Sequence, residues 1–390
     1  MNKYLISALA LAFASHASAI NLDDSGSLTM TGFYQLTGAK VLSGTSSFGD
    51  TWQYQNWNCP CTMQNWEYIG VYEKDKSWQF DQESLVGVQF KKKFSETFSA
   101  TAQLISRSHN TAHKSYTPTV DWAYVSWKPD EDSEWTLQAG RKRIPLYYYS
   151  DYLYIGYAYP WVRPAPDVYG WPIFTYDGVN ASWEHSFDSS GWTVAASAWH
   201  GNFKDENNAY DTQTYYYYPT DEEWKKITGA WVNVSNGVVE IRGMLMTHRA
   251  TTTTHNPDNT QTVWLDNQFT RIMGLAANVD YKNWIVRAEI DKFYQKNLDQ
   301  VQNIYRYYLL GVGYKFGDYT PMITQSHYMT DPLPGVPAEG RTTTSLALRW
   351  DFYKNTALKV QYDISKEKST YPYPFWGDSK LLSVSLQGLF

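Results

Sequence analysis

Charged side chains recur at alternate positions along several stretches of this chain. Arg287, Glu289 and Asp291 follow one another at a spacing of two, as do Arg349 and Asp351, and Lys359 and Asp363 flank Gln361. Such rows of acids and bases do not break bonds; they give water, ions and dipolar solutes a charged lining whose selectivity depends on width and field. A second concentration begins at Gln138-Ala139-Gly140-Arg141-Lys142-Arg143-Ile144-Pro145 and runs through 145–175. There Asp151, Arg163 and Asp167 are embedded among Tyr147, Tyr148, Tyr149, Tyr152, Tyr154, Tyr157, Tyr159, Trp161, Tyr169 and Trp171, with Pro160, Pro164, Pro166 and Pro172. Three readings of these rings stay open. Tyr147, Tyr149, Tyr152 and Trp161 could offer stacking faces to a sugar, pack as a hydrogen-bonded cluster, or form an exposed girdle.

Bond-making chemistry finds little support. There is no Gly-x-Ser-x-Gly and no His-Glu-x-x-His. Neither His185 nor His248 pairs with a nucleophile by sequence, and His109 and His113 read as loop histidines. The only cysteines, Cys59 and Cys61, flank Pro60. In an exported chain they are expected to pair, although a bridge across one residue is strained; an inter-subunit bond or free thiols remain alternatives. No histidine lies beside them to complete a metal site, and no cofactor motif occurs. A net charge of −6 without clustered bases argues against a nucleic-acid partner.

The elements that must position these charges are strands. Leu358, Val360, Tyr362 and Ile364 alternate with Lys359, Gln361 and Asp363. Leu346, Leu348, Trp350 and Phe352 alternate with Ser345, Arg349 and Asp351. Trp284, Val286, Ala288 and Ile290 alternate with Arg287, Glu289 and Asp291. In a strand these sets occupy opposite faces. A charge facing lipid near the midplane costs about 2–4 kcal/mol, so the polar sets should face inward. Short turns read at Phe94–Thr97, Pro129–Glu134, Asp188–Gly191, Ser235–Gly237, Tyr281–Asn283, Phe316–Asp318 and Tyr353–Asn355. Longer connections read at 43–79, 108–117, 145–175, 204–224, 249–265, 297–303, 330–340 and 368–378. Together they join sixteen strands; fourteen or eighteen fit if boundaries move by a few residues.

Both ends suit a barrel in a membrane. Lys3, the apolar run Leu5–Ala14 and Ala17-Ser18-Ala19 predict a signal peptide over 1–19, leaving one barrel domain over 20–390. That apolar run is shorter than the ~20 residues a spanning helix needs. Mean hydropathy is −0.52, compatible with a barrel whose strands face water on one side. Aromatic residues make up 17% of the chain, enough for girdles at two interfaces. At the other end Leu382, Val384, Leu386 and Phe390 share a face, opposite Ser383, Ser385 and Gln387. The predicted fold is all-β, a 16-stranded antiparallel transmembrane barrel whose last strand closes on the first.

A terminal Phe390, a Gly140-Arg141 pair closing strand five, a long third loop and a Tyr176-Asp177-Gly178-Val179 start to strand six resemble Gram-negative general diffusion porins. Ala158-Tyr159-Pro160-Trp161-Val162-Arg163-Pro164 resembles a proteobacterial branch of that superfamily. The resemblance implies a homotrimer in the outer membrane, in contact with lipid bilayer and lipopolysaccharide. It implies a third loop folded into the lumen as a constriction for passively diffusing ions and small hydrophilic solutes. Arg141 would then stand on a wall ladder facing Asp151 and Asp167. Strict alternation instead groups Gln138, Gly140 and Lys142 on one face with Arg141 on the other, and only a bulge near Gly140 or Pro145 would reconcile the two. The 145–175 loop has more Tyr and Pro and less acid than enteric porins, which weakens an expectation of strong cation preference. Lys142, Arg163, Arg287, Glu289, Asp291, Arg349, Asp351, Lys359 and Asp363 complete the expected lining. The alternatives are a channel specific for a sugar or an anion, a barrel enzyme, and an adhesin or phage receptor working through 43–79 and 204–224. Trp52, Tyr54, Trp57 and Trp66 in the first loop suit a contact between subunits.

Overall fold

The computed structural model describes residues 19–44, 61–63, 71–73, 76–107, 116–187, 189–208, 211–212, 216, 218–297, 300–371 and 377–390. Sixteen long strands follow in chain order. They are β1 (Leu28–Gly44), β2 (Leu85–Lys93), β3 (Phe98–Arg107), β4 (Thr119–Trp127), β5 (Trp135–Arg143), β6 (Thr175–Phe187), β7 (Trp192–Asp205) and β8 (Thr220–Ser235). They continue as β9 (Val239–His255), β10 (Gln261–Tyr281), β11 (Trp284–Asn297), β12 (Gln300–Tyr314), β13 (Tyr319–Thr330), β14 (Gly340–Tyr353), β15 (Thr356–Glu367) and β16 (Ser379–Leu389). Each pairs antiparallel with its chain neighbour, and β16 pairs with β1 from Ser379↔Gly44 to Leu389↔Phe33, closing the cylinder. Closure leaves no edge with unpaired peptide groups. Phe390 is held too: its N–H donates to Gly32 O at 2.9 Å, and Gly32 N–H donates to Phe390 O at 2.7 Å.

Burial follows the two-residue period. Ser345 is 2% exposed and its neighbour Leu346 is 47% exposed. The same contrast separates Glu289 from Ile290, and Arg242 from Ile241. In a closed barrel the enclosed face is the interior, so the polar sets point inward and the aliphatic sets outward, as alternation requires. A one-residue slip would turn a whole charged row outward, which is what fixes the register. At the turn end, outward rings form a girdle: Trp284 meets Tyr314 at 4.9 Å, Tyr319 stacks on Trp350 at 5.8 Å, and Phe94 meets Phe98 at 5.5 Å.

All seven short turns fall where expected. Three long connections are shorter than expected. β8 begins at Thr220, inside 204–224, and β12 at Gln300, inside 297–303. The stretch 249–265 differs most: β9 runs on to His255 and β10 begins at Gln261. Thr251–Thr254 reads as polar loop, yet Thr is β-branched and suits a strand. Here Thr252 and Thr254 turn inward and are buried, while Thr251 and Thr253 turn outward. The signal peptide, His109, His113, Cys59 and the first-loop aromatics Trp52, Tyr54, Trp57 and Trp66 lie outside the described residues. Cys61 opens a short strand, Cys61–Met63, paired with Val71–Glu73.

Candidate functional site

Segment 144–174 joins β5 to β6 and holds two single turns of 3-10 helix, Ser150–Tyr152 and Gly156–Ala158. A prolyl-rich segment with so little regular structure leaves many peptide groups unmatched, and buried ones must find partners. The inward faces of β13–β16 supply them. Lys359 Nζ, fully enclosed, donates to three carbonyls: Gly156 at 2.7 Å, Tyr159 at 2.5 Å and Trp161 at 2.9 Å. Gln361 Oε1 accepts from Val162 N–H at 2.8 Å, and Gln387 Nε2 donates to Val162 O at 2.9 Å. Arg349 Nη1 donates to Tyr157 O at 2.7 Å, and Trp161 Nε1 to Thr324 Oγ1 at 2.8 Å.

Ion pairs reinforce this seam. Arg163 is 2% exposed. Its guanidinium donates to Glu83 Oε1 at 2.6 Å, Asp363 Oδ2 at 2.9 Å and Ser383 Oγ at 2.7 Å. Asp167 accepts from Arg341 Nε and from Ser326 Oγ at 2.8 Å. Glu289 on β11 accepts from Tyr148 N–H at 2.6 Å and from the Tyr169 hydroxyl. Removing one partner of such a buried pair strands the other's charge, at about 3–5 kcal/mol. The rings fill the space between. Tyr147 stacks on Phe293 at 5.7 Å, Trp171 meets Phe293 edge-on at 4.8 Å, and Tyr149 meets Trp161 edge-on at 5.6 Å.

The opposite wall, β4–β9, is not sealed. A cavity of about 190 Å³ lies between it and the segment, lined by Tyr124, Gln138, Lys142, Asp151, Ser182, Glu184, Trp231, Glu240 and Arg242 among others. Arg242 Nη1 donates to Tyr148 O at 3.2 Å. Its Nη2 has no hydrogen-bond partner and stands 3.9 Å from Asp151 Oδ2. The guanidinium lies 4.9 Å from the centre of the Trp231 ring, and Lys142 Nζ lies 5.2 Å from that of Tyr124. Lys142 also bonds Gln138. Glu240 accepts from the Tyr148 hydroxyl at 2.8 Å. Burial, aided by the Glu240 carboxylate, pushes that hydroxyl well above the usual tyrosine range, so it stays a neutral donor. Arg143, buried at the rim, bridges Ser150 O at 2.6 Å and Asp121 at 3.1 Å.

Several expected lining residues take other places. Arg141 does not join an inward ladder. It shares the outer face with exposed Leu137 and Val179 and makes two 2.8 Å bonds to Asp177. No bulge flips it: Tyr124↔Gly140 and Ala123↔Arg141 pair one for one. Gly140 instead absorbs a bend, with φ +132° and no room for a Cβ, which would meet Ala123 O at 2.2 Å. Glu289, Asp291, Lys359 and Asp363 do point inward, and Arg163 and Asp167 reach from the segment to the wall, but all six are enclosed rather than open to water. Tyr147, Tyr149 and Trp161 have no free ring face for a sugar; Tyr152 alone of that group borders the cavity. Arg287 pairs with Asp280 at 2.8 Å, and Arg349 with Asp351 at 2.7 Å, both inward and partly open. Lys142 and Asp151 border the cavity.

Glu83, Glu184, Glu240, Arg242 and Arg341 were not singled out from sequence. Glu240 and Arg242 alternate with Val239, Ile241 and Gly243, so the same period would have found them; Glu83 lies ahead of β2 and carries no such signal. His185 bonds Glu134 in the open, and His248 is buried against the Trp224 ring at 3.6 Å.

No family model and no curated protein matches the sequence. Solved structures do match its shape. OmpTdeltaL8, a loop L8 deletion mutant of OmpT, an outer membrane protein of Vibrio cholerae, aligns over 93% of this chain and 100% of its own. Its TM-score is 0.58, at 11% identity. The outer membrane channel DcaP of Acinetobacter baumannii aligns over 93% and 97%, with TM-score 0.55 at 10% identity. An anion-selective porin from Comamonas acidovorans aligns over 93% and 99%, with TM-score 0.54 at 12% identity. The chain thus has the closed sixteen-stranded barrel fold of Gram-negative outer-membrane porins.

Proposed function

We propose that this protein is an outer-membrane channel for passive diffusion of ions and small hydrophilic solutes. In this reading the leader 1–19 is removed and 20–390 forms the barrel, with the turn end facing the periplasm. Segment 144–174 lies within the bore and narrows it, and solutes pass along the β4–β9 wall. The observation that carries this reading is the asymmetry of the segment's two sides. One side is bonded along β11 and β13–β16; the other meets its wall at Tyr148 and Ser150 and otherwise faces a cavity holding both signs of charge. Lys142 and Arg242 stand against Asp151, Glu184 and Glu240. Opposed charges across a narrow aqueous gap favour small dipolar solutes and weaken any preference between cations and anions. Reconstitution in a planar bilayer tests this: conductance should rise linearly with salt and ignore added sugars. Absence of channel events from correctly folded protein would reject it.

One observation favours a second reading, an anion-specific channel. Arg242 Nη2 lacks a hydrogen-bond partner beside the cavity, with Lys142 also on its lining. Saturable block of current by phosphate or a small carboxylate would select this reading, and ohmic current in their presence would discard it. A homotrimer joined through the first loop is part of the proposal; cross-linking that never captured a neighbour through 43–79 would remove that contact.

A further inference from the structure

The cavity beside segment 144–174 is lined by equal numbers of acids and bases. Lys142, Arg143 and Arg242 face Asp151, Glu184 and Glu240, so three formal charges of each sign cancel. A lone anion placed there meets carboxylates, and a lone cation meets bases. A molecule carrying both signs on separate atoms gains from both sets.

Strand register fixes where the two signs stand. Glu184 lies opposite Ala195, Ala195 opposite Asn233, and Asn233 opposite Arg242. These four residues form one rung of the inner wall from β6 to β9, and the short side chain of Ala195 leaves its middle low. Asn233 and Arg242 are 4% and 8% exposed. Each still has a polar atom without a hydrogen-bond partner: Asn233 Oδ1 accepts nothing and Arg242 Nη2 donates to nothing. Asp151 Oδ2, at 3.9 Å from Nη2, is beyond hydrogen-bond reach. The other two bases are matched, Lys142 by Gln138 and Arg143 by Ser150 O and Asp121.

Buried polar atoms ordinarily find partners. Here an unmatched acceptor and an unmatched donor stand side by side on the cavity wall, on residues paired across two strands. That is the complement of an ammonium and a carboxylate carried on one carbon. Size narrows the occupant further. About 190 Å³ is well below the ~300–1,000 Å³ of pockets for drug-sized ligands, and it excludes an oligosaccharide. We propose that this cavity binds a free amino acid in its zwitterionic form. Arg242 takes the carboxylate, Asn233 and the Glu240 carboxylate take the ammonium, and the amino-acid side chain lies towards Trp231. The inference rests on the reading of this cavity as part of a water-filled bore, and it names a solute class for it.

Planar-bilayer recording of the full refolded barrel tests this with three solutes of similar size. They are L-leucine, L-leucinamide, which lacks the carboxylate, and N-acetyl-L-leucine, which lacks the ammonium. L-leucine should block current saturably, reaching half-block at a concentration about tenfold lower than either analogue. Arg242→Gln should bring L-leucine to the level of leucinamide. Asn233→Leu with Glu240→Gln should bring it to the level of N-acetyl-L-leucine. Arg141→Ala, on the outer face, should keep the original order. Heat-modifiable gel migration checks that each variant folds. Equilibrium dialysis of the same solutes against the refolded barrel in detergent reports binding without requiring current. Equal block by all three solutes, or an unchanged order in both cavity variants, would overturn the site and leave the channel standing. Absence of channel events would reject the channel instead, and the order of binding in dialysis would then decide the site.

Discussion

On the β13–β16 wall, Arg341, Lys359, Gln361, Asp363 and Ser383 direct their polar atoms into segment 144–174 or its anchor Arg163. On the β4–β9 wall, Lys142, Glu184, Glu240 and Arg242 border a cavity. Both walls carry inward polar rows of the same period, and by sequence they are equivalent. Alternation says which side chains point inward. It does not say whether they meet water or another part of the chain. The segment decides that, because it is bonded along one wall while on the other its contacts at Tyr148 and Ser150 leave a cavity beside them.

The largest effect should come from Arg163→Met. It leaves Glu83 and Asp363 buried without their cation, a loss of about 3–5 kcal/mol. The segment should detach, raising single-channel conductance and exposing its tyrosines to chymotrypsin in the folded barrel. Lys359→Met should do the same more weakly. It leaves three carbonyls without their shared donor, at about 1–3 kcal/mol for a buried group left unsatisfied. Ion preference should change less in both variants than in variants of the open wall.

On the open wall the expected effect is on selectivity rather than stability. Lys142→Met with Arg242→Met should shift the reversal potential in a salt gradient towards cations. Glu184→Gln with Glu240→Gln should shift it towards anions. Arg141→Ala should leave it unchanged, because Arg141 faces outward against Asp177. A shift in Arg141→Ala as large as in the Lys142 and Arg242 variant would return Arg141 to the bore.

The smallest effect concerns the connection 331–339. Burial raises the Glu339 carboxyl to about 7, against a Tyr328 hydrogen bond at 3.2 Å that favours the ionised form. A raised carboxyl favours the folded loop when protonated. Its contribution is full below the ordinary glutamate range and is lost as pH rises through about 7. Amides of 331–339 should exchange hydrogen faster at pH 8 than at pH 5, after correction for intrinsic rates. Glu339→Gln should flatten that difference.

The strand count, the seven turns and the closing pair β1–β16 were legible because each depends on local signals: a two-residue period and short polar turns. Thr251–Thr254 reads wrongly as a loop because its polarity suits a loop while its β-branching suits a strand. The Arg163 anchor was not legible. Its partners Glu83, Asp363 and Ser383 are brought to it by closure of the whole cylinder, and no local pattern encodes that. The Arg141 ladder failed for a related reason: the resemblance pointed inward, and the residue's own alternation, which pointed outward, was the better guide.

In the proposed channel water reaches the β4–β9 wall and not the β13–β16 wall. Two inward serines on opposite walls form a matched probe. In a background with Cys59 and Cys61 replaced by serine, Ser182→Cys and Ser383→Cys would each be exposed to a charged methanethiosulfonate during single-channel recording. Ser182 borders the cavity and Ser383 is fully enclosed beneath Arg163. Ser182→Cys should react promptly, with a step in conductance, while Ser383→Cys remains silent. Equal reaction at both positions would contradict the claim.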